Sequence, residues 1–246
     1  MDNSLLISLS QQLSAYQSMD VIANNIANVS TPGYRREEPT FQEYVAHVRP
    51  SETQKGMQAL SFVQQTGTVR NMAQGALQST SAPFDLAISG KGYFAIQTPA
   101  GERYTRNGHF TLDSGGQIVT EDGYPVLGDG GPINITNDDG DIHIGADGVI
   151  SGRNGQIGKL RVSGFNGELA MKKEGASLYS TSETPTTPTD FKISQGALES
   201  SNVQPVVVIS HMIDVMRAYQ ATATMTQSQQ DLLRQAIDKL GGQPGS

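Results

Sequence analysis

Residues 23–34 read ANNIANVSTPGY. This stretch separates an arm that leads into it from a body that follows. Upstream, Leu6, Leu9, Leu13, Tyr16, Met19, Ile22 and Ile26 recur at steps of three and four. That spacing predicts a helix with one apolar stripe. Asp2, Asn3 or Ser4 can cap its start. The other positions are mostly Ser, Gln and Asn, which offer little helix propensity and few ion pairs. Such a helix is marginal alone and takes its stability from packing. The run Asn28-Val29-Ser30-Thr31-Pro32-Gly33 then stops it. Pro32 disfavours helix at Thr31, and Gly33 admits positive φ. The amides of Asn24, Asn25 and Asn28 can bond turn backbone or a neighbouring chain. Local capping and a register role beside an apolar seam are both compatible with their spacing.

The far end of the chain supplies a second helix. Ile209, Met212, Met216, Tyr219, Ala223, Thr226, Gln230, Leu233, Ile237 and Leu240 alternate steps of three and four without a break. A period of 3.5 is the seam of a left-handed coiled coil. Asn202 can cap the start, Pro205 falls in the first turn where it is tolerated, and Gly241-Gly242 with Pro244 end the run. A helix of about 35 residues spans ~50 Å, longer than a small domain usually covers.

Between the helices the texture is Gly-rich and strand-like. Short β candidates fall at 84–88, 93–97, 102–106, 109–112, 117–120, 125–127, 133–135, 142–144, 149–150 and 156–165. Turn pairs such as Asn107-Gly108, Asp122-Gly123, Asp139-Gly140, Asp147-Gly148 and Asn166-Gly167 separate them. Asn-Gly and Asp-Gly at this frequency predict consecutive hairpins in an antiparallel unit. Residues 31–82 read as a connector, with Phe41, Tyr44, Val45 and Val48 able to form a short strand or helix and weak alternation over 61–69. The expected fold is mainly β with terminal α-helices: an antiparallel β body plus N- and C-terminal helices forming an axial coiled coil. The expected divisions are an N-terminal axial helix at 1–30, the connector at 31–82 with extended or β-hairpin character, the β body at 83–200 and a C-terminal axial helix at 201–246.

Composition narrows the function. The formal net charge is −7 and no Lys/Arg run occurs, which argues against a nucleic-acid groove. There is no Cys, so disulfides, thiolate metal sites and cysteine catalysis are excluded. The N-terminus lacks a basic region and a continuous apolar core of a secretory signal, and no stretch approaches ~20 apolar residues, so no membrane insertion is expected. Gly90-Lys91-Gly92-Tyr93-Phe94-Ala95 matches G-x-G-x-x-A. A dinucleotide loop needs a helix next, whereas 93–97 is strand-like and Pro99 and Gly101 follow. Asn137-Asp138-Asp139-Gly140-Asp141 with Asp147 suggests Ca²⁺, but the EF-hand order fails, and a solvated turn is the simpler reading. The four His, at 47, 109, 143 and 211, show no metal spacing, and no G-x-S-x-G elbow occurs. No catalytic residue, metal or cofactor is expected.

Three blocks carry a resemblance to a known family. The run Ala23-Asn24-Asn25-Ile26-Ala27-Asn28, with Thr31, Gly33 and Tyr34, resembles the N-terminal signature of flagellar basal-body rod proteins. Ser201-Asn202-Val203, Met212-Ile213 and Arg217-Ala218-Tyr219-Gln220 resemble the matching C-terminal block. Tyr93-Phe94-Ala95-Ile96, then Tyr104-Thr105-Arg106-Asn107-Gly108 and Phe110, resemble the central block shared by rod and hook proteins. Ile26 stands where Leu is common, Met216 where Gln is, and Thr222 where Asn is.

The resemblance implies a non-enzymatic structural subunit of the basal-body rod, which crosses the periplasm and transmits torque from motor to hook. It implies partners among other copies and other rod proteins, and export through the flagellar type III apparatus without a cleaved signal. Leu6, Leu9, Leu13, Tyr16, Ile209, Met212, Met216, Tyr219, Leu233, Ile237 and Leu240 are then the subunit-packing positions. The length, without a long insertion after the signature, fits a proximal rod protein better than the longer distal or hook-type axial proteins. From another class, a β-rich carbohydrate-binding or glycan-cleaving module is the alternative.

Overall fold

The computed structural model describes residues 2–48, 58–175 and 177–241; the side chains of 2–5, 46–48, 58–61, 137, 240 and 241 fall outside that description. Two compact units emerge. One draws on the described parts of 1–27, 37–69 and 204–246, the other on 28–36 and 70–203. The fold is mostly antiparallel β with one helix at each end of the chain. Among the described residues no helix is long and apolar enough to cross a membrane.

The helical unit contains α1 (Asp2–Ala27), strands β1 (Glu37–Val48) and β2 (Gln58–Arg70), which pair as a two-stranded sheet, and α2 (Pro205–Gly241). Helix α1 packs along α2 and against β1. Gln12 Nε2 donates to Thr226 Oγ1 at 3.3 Å, and Ser14 Oγ to the Val63 carbonyl at 3.3 Å. The connector stretches at 41–48 and 61–69 are thus long strands, Thr40 Oγ1 bonding across them to the Gly67 carbonyl at 3.0 Å. Pro205 opens α2, where its missing N–H costs nothing. Ser and Thr in both helices satisfy their hydroxyls on the preceding turn, as Ser18 does on Ser14 O at 2.8 Å and Thr226 on Thr222 O at 2.9 Å.

The β unit contains β3 (Leu77–Ser79), β4 (Leu86–Gly90), β5 (Tyr93–Thr98), β6 (Gly101–Thr105), β7 (Phe110–Leu112) and β8 (Ile118–Thr120), followed by shorter strands. Its largest sheet has five strands, in the order Val162–Ser163, β5, β6, Leu178–Ser180, Lys172–Lys173. Strand β5 is buried on both faces. Phe94 and Ile96 enter one apolar cluster with Leu86, Ile118, Val126, Ile150 and Leu160, while Tyr93 and Ala95 enter a second with Tyr104, Phe165 and Tyr179. Alternation of side chains along a strand produces this division. Phe94 meets Phe110 edge-on at 5.2 Å, and Tyr104 meets Phe165 at 4.6 Å.

Three strand expectations change. The predicted hairpins β5–β6 and β7–β8 form, but β4 pairs with Phe191–Gln195 and β3 with Ala197–Glu199, both far away in sequence. The unit is closed by its own last residues, in a stretch whose strong β-formers are only Phe191 and Ile193. The candidate 156–165 divides into Gly155–Lys159 and Val162–Ser163, which lie in different sheets. Leu160 sits at the break, buried at 1%, with its amide on Gly148 O at 2.8 Å. Residues 133–135 are not a regular strand: Ile133 O accepts from Ile118 N and Ile135 N donates to Gly116 O, either side of bulk buried in the core.

Candidate functional site

The chemistry of this chain is that of surfaces. In α1 the buried positions are Ser8, Ser14, Ser18, Val21, Ile22 and Asn25. The four largest outward side chains are apolar: Leu6, Leu9, Leu13 and Tyr16 are 47–57% exposed. At about 100° per residue the two sets lie on nearly opposite sides of the helix. Small Ser side chains on the inner side permit close approach of neighbouring backbone, and the bulk points to solvent. In α2, Met212, Tyr219 and Leu233 are half-buried, with Ala223, Thr226 and Gln230 on the same side. Ile209, Met216 and Ile237 are exposed at 47%, 43% and 67%, joined by Val206 and Ile213. The side chain of Leu240 lies outside the described residues. The expected seam is thus half-buried at some of its positions and exposed at others.

The signature residues fold into the turn that leaves α1. Asn25 is 3% exposed and grips the backbone of Glu37 with both ends of its amide: Nδ2 donates to Glu37 O at 2.7 Å and Oδ1 accepts from Glu37 N at 2.9 Å. Asn28 O accepts from Thr31 N, and its Oδ1 from Thr31 Oγ1, both at 3.2 Å. Asn24 donates within the helix, to Asp20 O at 3.2 Å. Ala23 and Ala27 are exposed, Ile26 half-buried and Tyr34 buried. Gly33 has φ of 68°, and a Cβ there would lie 2.4 Å from the Arg106 carbonyl carbon, so only Gly fits.

Sequence reasoning missed what holds the next residues. Glu199, 1% exposed, takes Arg35 Nη2 at 2.8 Å on one oxygen and Arg106 Nη1 at 3.3 Å on the other. It also accepts from Gly75 N at 3.0 Å. Burial lowers the Arg106 pKa, opposed by Glu199. Arg106 also donates to Ile88 O and Gly90 O, and its guanidinium lies over the Tyr93 ring at 5.2 Å. Arg35 donates to Ala73 O. Gly33 N reaches Glu199 O at 2.7 Å. Asn202 does not cap α2, which begins three residues later. Its amide instead bonds Asn71 O, Ala73 O and Arg36 N, at 2.9, 2.8 and 2.6 Å. The three chain segments 33–36, 71–76 and 199–202 are thereby laced together. The available signal was that Arg106 and Asn202 lie inside the central and C-terminal blocks.

The weighed ligand motifs take structural roles. β5 begins at Tyr93, where a dinucleotide loop needs a helix. Asp139 closes a capping box on Thr136, and these backbone and hydroxyl bonds hold its carboxyl below the usual range. His109 pairs with Asp85 at 2.7 Å, while His143 and His211 are exposed; His47 lies outside the described side chains. Among the described residues no group of three His, Asp or Glu is placed to hold a metal ion.

Comparison with known proteins follows the same three blocks. Residues 9–35 match the family described as flagella basal body rod protein, 87–152 the flagellar hook protein FlgE/F/G D1 domain, and 194–239 the flagellar basal body rod FlgEFG protein C-terminal family. The flagellar basal-body rod protein FlgF of Caulobacter vibrioides is 40% identical over 98% of this chain and 99% of its own. FlgF of Mesorhizobium japonicum is 34% identical with the same coverage, and FlgG of Buchnera aphidicola subsp. Schizaphis graminum 32% identical over 88% of this chain and 92% of its own. A gripped signature turn, a two-faced helix and matches along nearly the whole length converge: the chain belongs to the flagellar basal-body rod protein family, a family of structural rod subunits.

Proposed function

We propose that this chain builds the rod by burying the outward apolar stripes of α1 and α2 against neighbouring subunits. Leu6, Leu9, Leu13, Tyr16, Ile209, Met216 and Ile237 make those contacts, while Met212, Tyr219 and Leu233 join the two helices of one copy and Leu240 continues the seam. The observation that carries the reading is the inverted first half of α1, with Ser8 and Ser14 inside and Leu6, Leu9, Leu13 and Tyr16 outside. An exposed apolar stripe of this kind marks an interaction surface. Contacts between different surfaces of successive copies generate a helical filament.

In this reading the partners are other copies and other rod proteins, and the axial helices (1–30 and 201–246) carry the β body (83–200) through the connector (31–82). The assembled segment spans the periplasm and transmits torque from motor to hook. The chain is exported by the flagellar type III apparatus without cleavage and has no catalytic step. Near-complete coverage of the FlgF relatives, against 88% of this chain for FlgG, supports the proximal position. The test is a strain relying on Leu9→Asp plus Leu13→Asp, with export assayed separately. Normal export with no basal bodies is expected; normal motility overturns the packing role.

A further inference from the structure

An Asn followed by Gly can lose its side-chain amide without an enzyme. The Gly backbone nitrogen attacks Asn Cγ and passes its proton to solvent. The Cγ–Nδ2 bond breaks, and the nitrogen takes up a proton and leaves as ammonia. Water then opens the succinimide to Asp or isoaspartate. The missing Cβ of Gly lets its nitrogen come in to about 3 Å from Cγ. The chain has three such pairs, Asn107-Gly108, Asn154-Gly155 and Asn166-Gly167. Their surroundings differ.

The first and third pairs are held. Gly108 is buried, a Cβ there would lie 1.6 Å from Leu86 O, and its carbonyl accepts from Leu86 N at 2.9 Å. Asn107 N donates to Thr105 Oγ1, and Asn107 Oδ1 accepts from His109 N, both at 3.0 Å. Backbone fixed on both sides cannot swing onto Cγ. Gly167 N, the attacking atom of the third pair, donates to Glu183 Oε2 at 3.0 Å, and Asn166 N to Oε1 at 3.0 Å. Bonds to a carboxylate are strong ones, and ring closure must break the first. Asn154-Gly155 is open by contrast. It lies where strand Val149–Gly152 turns into Gly155–Lys159, and both residues are exposed. A Cβ on Gly155 would meet nothing within 4 Å. The Asn154 amide is tied at the surface, Nδ2 to Asp138 O at 3.1 Å.

We propose that Asn154 is the residue at which the folded chain deamidates, and that conversion frees this hairpin tip from the 137–139 turn. The tip docks there through Asn154 Nδ2 on Asp138 O and Arg153 N on Asp139 O, the latter at 2.6 Å. A carboxylate at 154 cannot donate to Asp138 O. It adds negative charge beside Asp138, Asp139 and Asp141 in a chain already at −7. Isoaspartate also draws Cβ into the backbone, which lengthens a tight turn and shifts Arg153 off Asp139 O.

The test ages the full-length chain in mildly alkaline heavy-oxygen water, which labels only residues converted during the incubation, and then digests it with trypsin in ordinary water. Cleavage after Arg106, Arg153, Lys159, Arg161 and Lys172 puts the pairs in separate peptides, 107–153, 154–159 and 162–172, for mass spectrometry. Asn154 should convert at least several-fold faster than Asn107 and Asn166, and ageing in strong urea should bring the rates together. Comparable rates in the folded chain, or a lead of Asn154 that survives urea, overturns selection by the fold. Hydrogen exchange reads the consequence. Asn154→Asp should speed exchange of the Arg153 amide and leave that of Val126, bonded to Ile118 O, unmoved. Unaltered exchange at Arg153, or faster exchange at both, overturns the local release.

Discussion

The two units of the chain treat their largest apolar residues differently. The β unit buries aromatic and aliphatic side chains on both faces of β5 and ties its entering and leaving segments to one buried carboxylate. Along the first half of α1 the helical unit does the reverse, with Ser8 and Ser14 inside and Leu6, Leu9, Leu13 and Tyr16 outside, before Val21 and Ile22 turn inward near its end. The β unit thus completes its apolar clusters within one copy. The helical unit leaves large apolar groups in water, the mark of an interaction surface. In the proposed reading the difference separates the part that holds shape from the part that assembles, and each of the following measurements strains that separation.

The largest effect falls on Glu199. Glu199→Gln leaves the Arg35 and Arg106 guanidiniums buried without a counter-charge, which costs about 3–5 kcal/mol. Loss of the near-ultraviolet tyrosine signal of the β unit at markedly lower temperature is expected. A melt within a degree of wild type would show that the triad is not what closes the unit.

Alkali comes next. Burial first, and Glu168 second, lift the Tyr93 hydroxyl well above the ordinary tyrosine range; burial and then the 2.8 Å bond to Glu102 do the same for Tyr104. With folded values above the unfolded value of about 10, their stabilisation is whole below that pH and is lost as pH rises beyond it. Stability of the β unit should therefore fall above pH ~10, and Tyr93→Phe with Tyr104→Phe should flatten that fall. An unchanged alkaline slope in the double variant would assign the loss to other groups.

Asn25→Asp probes the helical unit where it is best satisfied. A carboxylate cannot donate to Glu37 O and would face that carbonyl at 2.7 Å. The expected loss is about 1–3 kcal/mol, read as helical circular dichroism melting earlier while the β unit is unmoved. Coincident loss of both signals would contradict separate units.

These residues also show what was legible in the sequence. The helices and the β5–β6 hairpin rest on local periodicity and turn chemistry, and both are present. Pairing of β4 with Phe191–Gln195 depends on partners that no local pattern names. Burial of Glu199 runs against the general habit of Glu, so only its neighbours in space disclose it. Apolar spacing located the stripe of α1 but not its direction. Whether Leu13 or Ser14 points inward depends on whether one copy or several complete the packing.

That last ambiguity gives the smallest and sharpest test, on two adjacent residues. Ser14 is 9% exposed and Leu13 54%. Ser14→Leu adds an apolar side chain to the inner face, where it removes the bond to Val63 O and overfills a close contact, at a cost of about 1–3 kcal/mol. Leu13→Gln removes an apolar side chain from the outer face and keeps a good helix former, so the single copy should change by less than about 0.5 kcal/mol. A helix that buried its own Leu would answer in the opposite order, with Ser14→Leu neutral or stabilising and Leu13→Gln costly. Thermal melts of the two purified variants, followed by helical circular dichroism, decide between these. If Leu13→Gln leaves the melt unmoved and still lowers basal-body yield in cells, the apolar stripe of α1 acts only between copies.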